Sequence, residues 1–338
     1  MVSRPCFIIA EAGVNHNGSL ENALKLIDIA AESGSDAVKF QTFRAEDLVT
    51  TSAPKAEYQQ RATGNEQSQF EMLKALELSF SDFKALYDHC QSKGIEFMST
   101  PFDENSSDEL ERIGMTTFKI PSGELTNHPL IRHVALKQKP VILSTGMATL
   151  EEVNQAVEVL RSTGNPDIQL LHCVSDYPAD PATVNLRAMQ TMRERFQIPV
   201  GLSDHTLGIH IPIAAVAMGA SCIEKHFTLD KSLPGPDHQA SLDPQELNQM
   251  VRQIREVEAA FGNGVKNPTE AELKTALVAR RSIVLARDLP ANHALTPEDL
   301  ILRRPGSGIP PAELPYLIGR TTKSKLNKDH ILTQDDLT

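Results

Sequence analysis

Residues 7–43 read FIIAEAGVNHNGSLENALKLIDIAAESGSDAVKFQTF. Phe7–Glu11 is a short apolar run of the kind that fills a buried strand, and Asn17-Gly18 supplies a turn after it. From Leu20 to Glu32 the apolar residues Leu20, Ala23, Leu24, Leu26, Ile27, Ile29 and Ala30 follow helical spacing, and Ala37–Gln41 returns to strand character. Strand, helix and strand in succession predict a parallel sheet. No GxGxxG pattern follows the first strand, which counts against an open dinucleotide-binding sheet.

The same alternation continues. Further strand-like runs are Glu96–Ser99, Thr117–Ile120, Val141–Ser144, Gln169–Cys173, Pro199–Leu202 and Cys222–His226. Helical stretches separate most of them, such as Leu150 to Leu160 with Thr149 as N-cap ahead of Glu151 and Glu152. Eight strands is the number that closes a TIM (β/α)8 barrel, and 338 residues hold one such barrel with a small appendage. The expected division is a barrel over 1–261 whose last helix is Asp243–Phe261, a polar linker over 262–277 containing Asn-Gly and Asn-Pro, and a small domain over 278–338. The small domain mixes a β-like piece, Ser282–Ala286, with turn signals at Asp288-Leu-Pro and Arg304-Pro-Gly. The polar stretch from Leu48 to Leu78 is longer than an ordinary connection and reads as a lid or binding loop.

Composition narrows the class. A net charge of −11 argues against general nucleic-acid binding, yet leaves room for an anionic substrate in a locally basic pocket. Cys6, Cys90, Cys173 and Cys222 lack CxxC spacing, so neither a disulfide framework nor structural zinc is expected. The apolar stretch Ile209–Ile223 is interrupted by His210, Pro212 and Gly219 and is too short to span a membrane. No signal-peptide pattern precedes Phe7, and the expected location is the cytoplasm.

In a barrel, chemistry sits at the C-terminal ends of the strands. Here those ends carry Glu11, Lys39 and Gln41, Ser99-Thr100, Lys119 with Ser122 and Glu124, Ser144-Thr145, His172 with Tyr177, Ser203-Asp204-His205, and Glu224-Lys225-His226. His205 and His226 end neighbouring strands, so both imidazoles can serve one divalent metal, with Asp204 and Glu224 as candidate supporting partners. Lys39 and Lys119, with nearby hydroxyls, form a nest for a phosphate and a carboxylate. A metal beside a small dianion suits aldol-type chemistry between an enol phosphate and an aldehyde, with Glu11 or Glu124 orienting hydroxyls or handling protons.

Ordered stretches along nearly the whole chain resemble the N-acetylneuraminate (sialic acid) synthase family: IIAEAGVNHNG (8–18), DAVKFQTF (36–43), STPFDENS (99–106), FKIPSGEL (118–125), LSTGMAT (143–149), HCVSDYPADPATVNL (172–186), GLSDHTLG (201–208), IEKHFTLDKSLPGPDHQAS (223–241), ARRSI (279–283) and RRPGSGI (303–309). The resemblance implies a TIM barrel followed by an antifreeze-like (SAF) domain, in a homodimer with the small domain swapped onto the partner. It implies a manganese-type metal on His205 and His226, with Mg²⁺ or Co²⁺ as alternatives. Phosphoenolpyruvate falls to Lys39, Thr100, Lys119, Ser122, Ser144 and Ser203. Glu11, Glu124 and Tyr177 become the catalytic set, and Ser175, Tyr177, Asp237 and Arg304 the sugar side.

The reaction so implied joins phosphoenolpyruvate to N-acetylmannosamine with cleavage of the phosphoenolpyruvate C–O bond. The family's N-acetylneuraminate enzymes carry Asn in an HCxNxYP segment where this chain has Ser175. That shorter side chain keeps a second acceptor in play, the 2,4-diacetamido-2,4,6-trideoxyhexose of the N,N′-diacetyllegionaminate and pseudaminate synthases. A synthase for phosphorylated pentoses or tetroses would need a further cationic cluster at a strand end, which is missing, and a non-catalytic relative would lack a His or Lys that is present here.

Overall fold

A computed structural model describes residues 5–64, 67–165 and 167–338. Asn65 and Glu66, within the expected lid, lie outside the described residues. All eight expected strands form, within two residues at either end: β1 Phe7–Gly13, β2 Ala37–Thr42, β3 Glu96–Pro101, β4 Phe118–Ile120, β5 Val141–Ser144, β6 Ile168–Cys173, β7 Val200–Asp204 and β8 Cys222–His226. They make one parallel eight-stranded sheet in the order β3-β2-β1-β8-β7-β6-β5-β4. β1 and β8, the first and last strands, pair with each other, and β3 and β4 flank the seam. This is the expected TIM barrel. β4 is three residues long because Pro121, which has no N–H for the ladder, follows it directly.

Side-chain alternation divides each strand between two cores. Ile9, Ala37, Met98, Ile142, Leu171 and Cys222 pack together inside the barrel. Their neighbours Ile8, Val38, Phe97, Phe118, Leu170 and Ile223 face outward and join Leu26, Ile27, Leu86, Val157 and Leu160 of the surrounding helices. Each such side chain, fully buried, contributes about 1.5–3 kcal/mol. The helices begin where the sequence signals them. Leu20–Glu32 is capped by Ser19, Leu150–Ser162 by Thr149 in a reciprocal box with Glu152, and Pro244–Ala260 by Asp243 with Glu246. The stretch between β2 and β3 contains short helices at Glu57–Thr63 and Gln69–Leu76. All four cysteines are buried and free. No helix among the described residues is long and apolar enough to cross a membrane.

The chain divides into two compact units, the first ending at Gly262 and the second running from Asn263 to Thr338. The stretch read as a linker contains most of a helix, Glu270–Ala279, none of whose residues is buried. Beyond it, β9 Ser282–Leu285 pairs antiparallel with β10 Leu300–Arg303 over a core that includes Ile283, Leu285, Leu289, Leu317 and Leu332.

Candidate active site

The barrel places its polar residues at one level. Glu11 lies in register with Lys39 on one side and His226 on the other, and Ser203 lies in register with Glu224. These five, with Thr100, Lys119 and His205, line a cavity of about 320 Å³ at the C-terminal ends of the strands. Lys39 pairs with Glu11 and also faces Glu224 at 3.6 Å; Lys119 reaches Glu224 at 3.2 Å. Lys39 Nζ donates to Thr100 Oγ1 at 3.1 Å, and Ser203 Oγ donates to Glu224 Oε1 at 2.8 Å. All six side chains are buried, and such charges persist out of water only when paired.

The two carboxylates are driven apart. Burial pushes Glu11 upward despite the pull of Lys39. Burial acts the same way on Glu224, but Lys119 and Lys39 outweigh it and hold Glu224 below the usual carboxylate range. One group is thus suited to carrying a proton near neutral pH and the other to remaining an anion that fixes two ammonium groups.

The ring centroids of His205 and His226 are 5.6 Å apart. His205 Nδ1 donates to the Val174 carbonyl at 2.7 Å, an assignment that leaves Nε2 with its lone pair. Burial, followed by the charges of His205 and Lys39, pushes His226 far below its ordinary value and keeps it neutral. His205 is the opposite case: burial lowers it, but Cys173 and the Val174 carbonyl outweigh burial and raise it, so a metal there would have to displace its proton, neutral imidazole being the form that binds metals. Among the described residues no group of three or more His, Cys, Asp or Glu side chains is placed to hold a metal ion. A metal held here would have the two imidazole nitrogens as protein ligands and would need its remaining positions filled by water or substrate oxygen. Tyr177 packs on the pair, 4.0 Å from the His205 ring and 5.8 Å from His226, and Tyr58 from the stretch between β2 and β3 stacks on Tyr177 at 4.7 Å.

Ser122, Ser175 and Tyr177 also line the cavity. Ser175 sits against the backbone of Gly146, where a Cβ would come within 2.3 Å of its Oγ. Ser144 is buried below the lining, and its Oγ has no hydrogen-bond partner. Glu124 does not line the cavity; the turn Ser122–Glu124 directs it to Asn127, whose Nδ2 donates to it at 2.7 Å. Asp237 is buried without lining the cavity, and burial lifts its pKa to about 6; burial also raises Tyr58 and Tyr177, with the Asp237 charge adding to both. Arg304 is exposed on the second unit.

Asp204 and Glu224 do not touch the histidines in the supporting role expected of them. Asp204 is paired with Lys225, and Glu224 bridges the two lysines. Counting alternate residues along β8 from Cys222, which points inward, would have placed Glu224 and His226 in the cavity and Lys225 outside it. Tyr58 and Cys173 also line the cavity; Tyr58 lies outside the strands, and Cys173 ends β6 but reads in the sequence as a small apolar core residue.

The chain matches the NeuB family over residues 26–266 and the SAF domain over residues 280–338. It is 52% identical over 329 residues to the N,N′-diacetyllegionaminic acid synthase of Legionella pneumophila, covering 96% of this chain and 92% of that protein. It is 46% identical to the Campylobacter jejuni enzyme of the same name, covering 97% of this chain and 98% of that protein. Among solved structures, the N-acetylneuraminic acid synthetase of Leptospira borgpetersenii, crystallised with citrate, superposes with a TM-score of 0.71 at 36% identity, covering 80% of this chain and 90% of that one.

Proposed function

The chain belongs to the NeuB family, as an enzyme of the type that condenses phosphoenolpyruvate with an amino sugar, and from that premise we propose that it is an N,N′-diacetyllegionaminic acid synthase. Its acceptor is then 2,4-diacetamido-2,4,6-trideoxymannose, and N-acetylmannosamine gives way as the first choice. The observation that carries this reading is the 52% identity to the Legionella pneumophila enzyme across nearly the full length of both proteins. The cavity agrees with it. Its lining cations are Lys39 and Lys119, both engaged with carboxylates. The lining also includes Phe43, Leu48, Val49, Leu73 and Phe102, interspersed with Gln41, Gln59 and Gln69. Such a wall offers apolar surface and neutral amides to a deoxygenated, acetylated sugar, and no further Lys or Arg to a phosphate ester.

In this reading Lys39, Thr100, Lys119 and Ser203 hold the phosphate and carboxylate of phosphoenolpyruvate, with Ser122 and Ser144 nearby. A divalent metal, Mn²⁺ foremost, held by His205 and His226 would polarise the aldehyde oxygen as a Lewis acid. C3 of the enol attacks the aldehyde carbon, water adds at C2, and phosphate leaves with its C–O bond broken. Glu11, raised toward neutrality by burial, moves the proton that the new alkoxide gains. Glu224 stays charged and keeps the two ammonium groups in place. Asp237, Tyr177 and Ser175 face the acceptor. A homodimer belongs to the same proposal, supported by the exposed Leu273, Leu277 and Val278 of the Glu270–Ala279 helix; Arg304 is its candidate sugar contact.

The test is phosphate release by the Mn²⁺-loaded enzyme from phosphoenolpyruvate with each aldehyde in turn. Release only with the trideoxy sugar, with a nine-carbon product by mass spectrometry, supports the reading; release only with N-acetylmannosamine overturns it.

A further inference from the structure

The loop after β8 is tied to the loop after β1 by side chains that do not line the cavity. Asn15 is buried and its Nδ2 donates twice across the gap, to the Phe227 carbonyl at 2.8 Å and to Ser241 Oγ at 2.9 Å. Ser241 Oγ in turn donates to the backbone carbonyl of Asp237 at 2.7 Å. Asn17 Nδ2 donates to the Pro234 carbonyl at 2.9 Å, and His238 Nε2 donates to Asn17 Oδ1 at 3.1 Å. With that proton on Nε2, His238 Nδ1 accepts from Thr228 Oγ1 at 2.7 Å. His238 and Thr228 are fully buried. Asp237 therefore sits between two anchored points, its own carbonyl held through Ser241 and its neighbour His238 held through Asn17 and Thr228.

The loop after β1 also meets the lid. Gly18 has φ +71° and lies so close to the Ala75 carbonyl that a Cβ would come within 2.5 Å of it. Ala75 belongs to the helix Gln69–Leu76, which supplies Gln69 and Leu73 to the cavity wall. One short loop thus holds both the segment that carries Asp237 and the helix that forms part of the apolar wall.

We propose that Asn15, Asn17 and His238 are positioning residues for the acceptor side of the cavity, acting by fixing the loop that presents Asp237. The inference rests on the assignment of Asp237 to the acceptor. The phosphoenolpyruvate side, carried by β2, β3, β4 and β7, has no hydrogen bond to this staple. Loosening it should weaken acceptor binding and leave phosphoenolpyruvate binding as it was. A purely structural role would move both together.

The experiment is initial-rate kinetics of phosphate release by metal-loaded full-length Asn17→Ala, Asn17→Asp, His238→Ala and Asp237→Asn, with 2,4-diacetamido-2,4,6-trideoxymannose or N-acetylmannosamine, whichever turns over. Asn17→Ala and His238→Ala are expected to raise the acceptor KM about tenfold or more, with the phosphoenolpyruvate KM within about twofold of the parent. Asn17→Asp, which keeps the oxygen that His238 uses, should have the smaller effect. The proposal is overturned if both KM values rise together, or if neither moves while Asp237→Asn raises the acceptor KM. An unchanged acceptor KM in Asp237→Asn instead removes the Asp237 assignment, and the inference with it. Should His238→Ala not fold, the half-exposed Asn17 decides the matter alone.

Discussion

Lys225 and Asp204 form an ion pair sealed outside the barrel wall, at the rung where β7 and β8 are in register. Lys225 Nζ also donates to the Thr206 carbonyl, and Asp204 accepts from the Thr206 hydroxyl at 3.0 Å. The residues next to this pair along each strand, Ser203 with His205 and Glu224 with His226, are those that face the cavity.

Removing one member leaves the other charged and unpaired out of water. Lys225→Met should cost about 3–5 kcal/mol of stability in chemical denaturation, and Lys225→Met with Asp204→Leu should recover much of it. A single variant within about 1 kcal/mol of the parent would mean that the pair contributes little.

Strand ends made the site legible before any geometry. β-rich runs alternating with helical stripes mark the barrel because a parallel strand buried on both faces has little choice of residue, and all eight appear where those runs lie. The helix Glu270–Ala279 escaped because its apolar residues Leu273 and Leu277 face solvent and produce no core-directed stripe; the Thr269 and Glu272 capping pair was the available signal. Glu124 follows a strand end and falls in the FKIPSGEL stretch, and the resemblance assigns it to the catalytic set. The one-turn helix after Pro121 sets its carboxylate against Asn127, and a turn of that kind leaves no periodic trace. The bridging role of Glu224 depends on three side chains from separate strands meeting at one carboxylate, which spacing within a strand does not encode.

Lys119 meets Glu224 and faces the cavity, where it is assigned to an anionic substrate. Lys119→Met should raise the KM for phosphoenolpyruvate by about tenfold to a hundredfold, the worth of one charged hydrogen bond, with a much smaller change for the acceptor. Equal effects on both substrates in steady-state kinetics would remove Lys119 from the phosphoenolpyruvate set.

His205 and His226 should account for metal binding. In calorimetric titration with Mn²⁺, His226→Ala and His205→Ala should each lose affinity by more than the roughly hundredfold that loss of a supporting partner costs, while circular dichroism stays that of the parent. Parent-like Mn²⁺ binding in both variants contradicts the assignment.

In the second unit Asp299 is fully buried and accepts from Arg287 Nε at 2.7 Å, His293 Nε2 at 2.9 Å and Thr296 N at 2.9 Å. Burial works against its charge, but the Thr296 amide and the His293 and Arg287 side chains hold its pKa at about 2, against an ordinary 3.8. A carboxyl lowered by folding stabilises the fold above its unfolded pKa and loses that contribution as pH falls toward the folded one. About 2 kcal/mol should disappear between roughly pH 4 and pH 2. Denaturation across that range should show the loss in the parent and not in Asp299→Asn, which should be less stable at neutral pH.

The central claim is tested most directly by competition. Equal concentrations of 2,4-diacetamido-2,4,6-trideoxymannose and N-acetylmannosamine, offered together with limiting phosphoenolpyruvate to the Mn²⁺-loaded enzyme, give a product ratio equal to the ratio of kcat/KM values. The account predicts an excess of about a hundredfold or more of the N,N′-diacetyllegionaminic acid product over N-acetylneuraminate, about 2.7 kcal/mol of discrimination. A ratio near one, or an excess of N-acetylneuraminate, would contradict it.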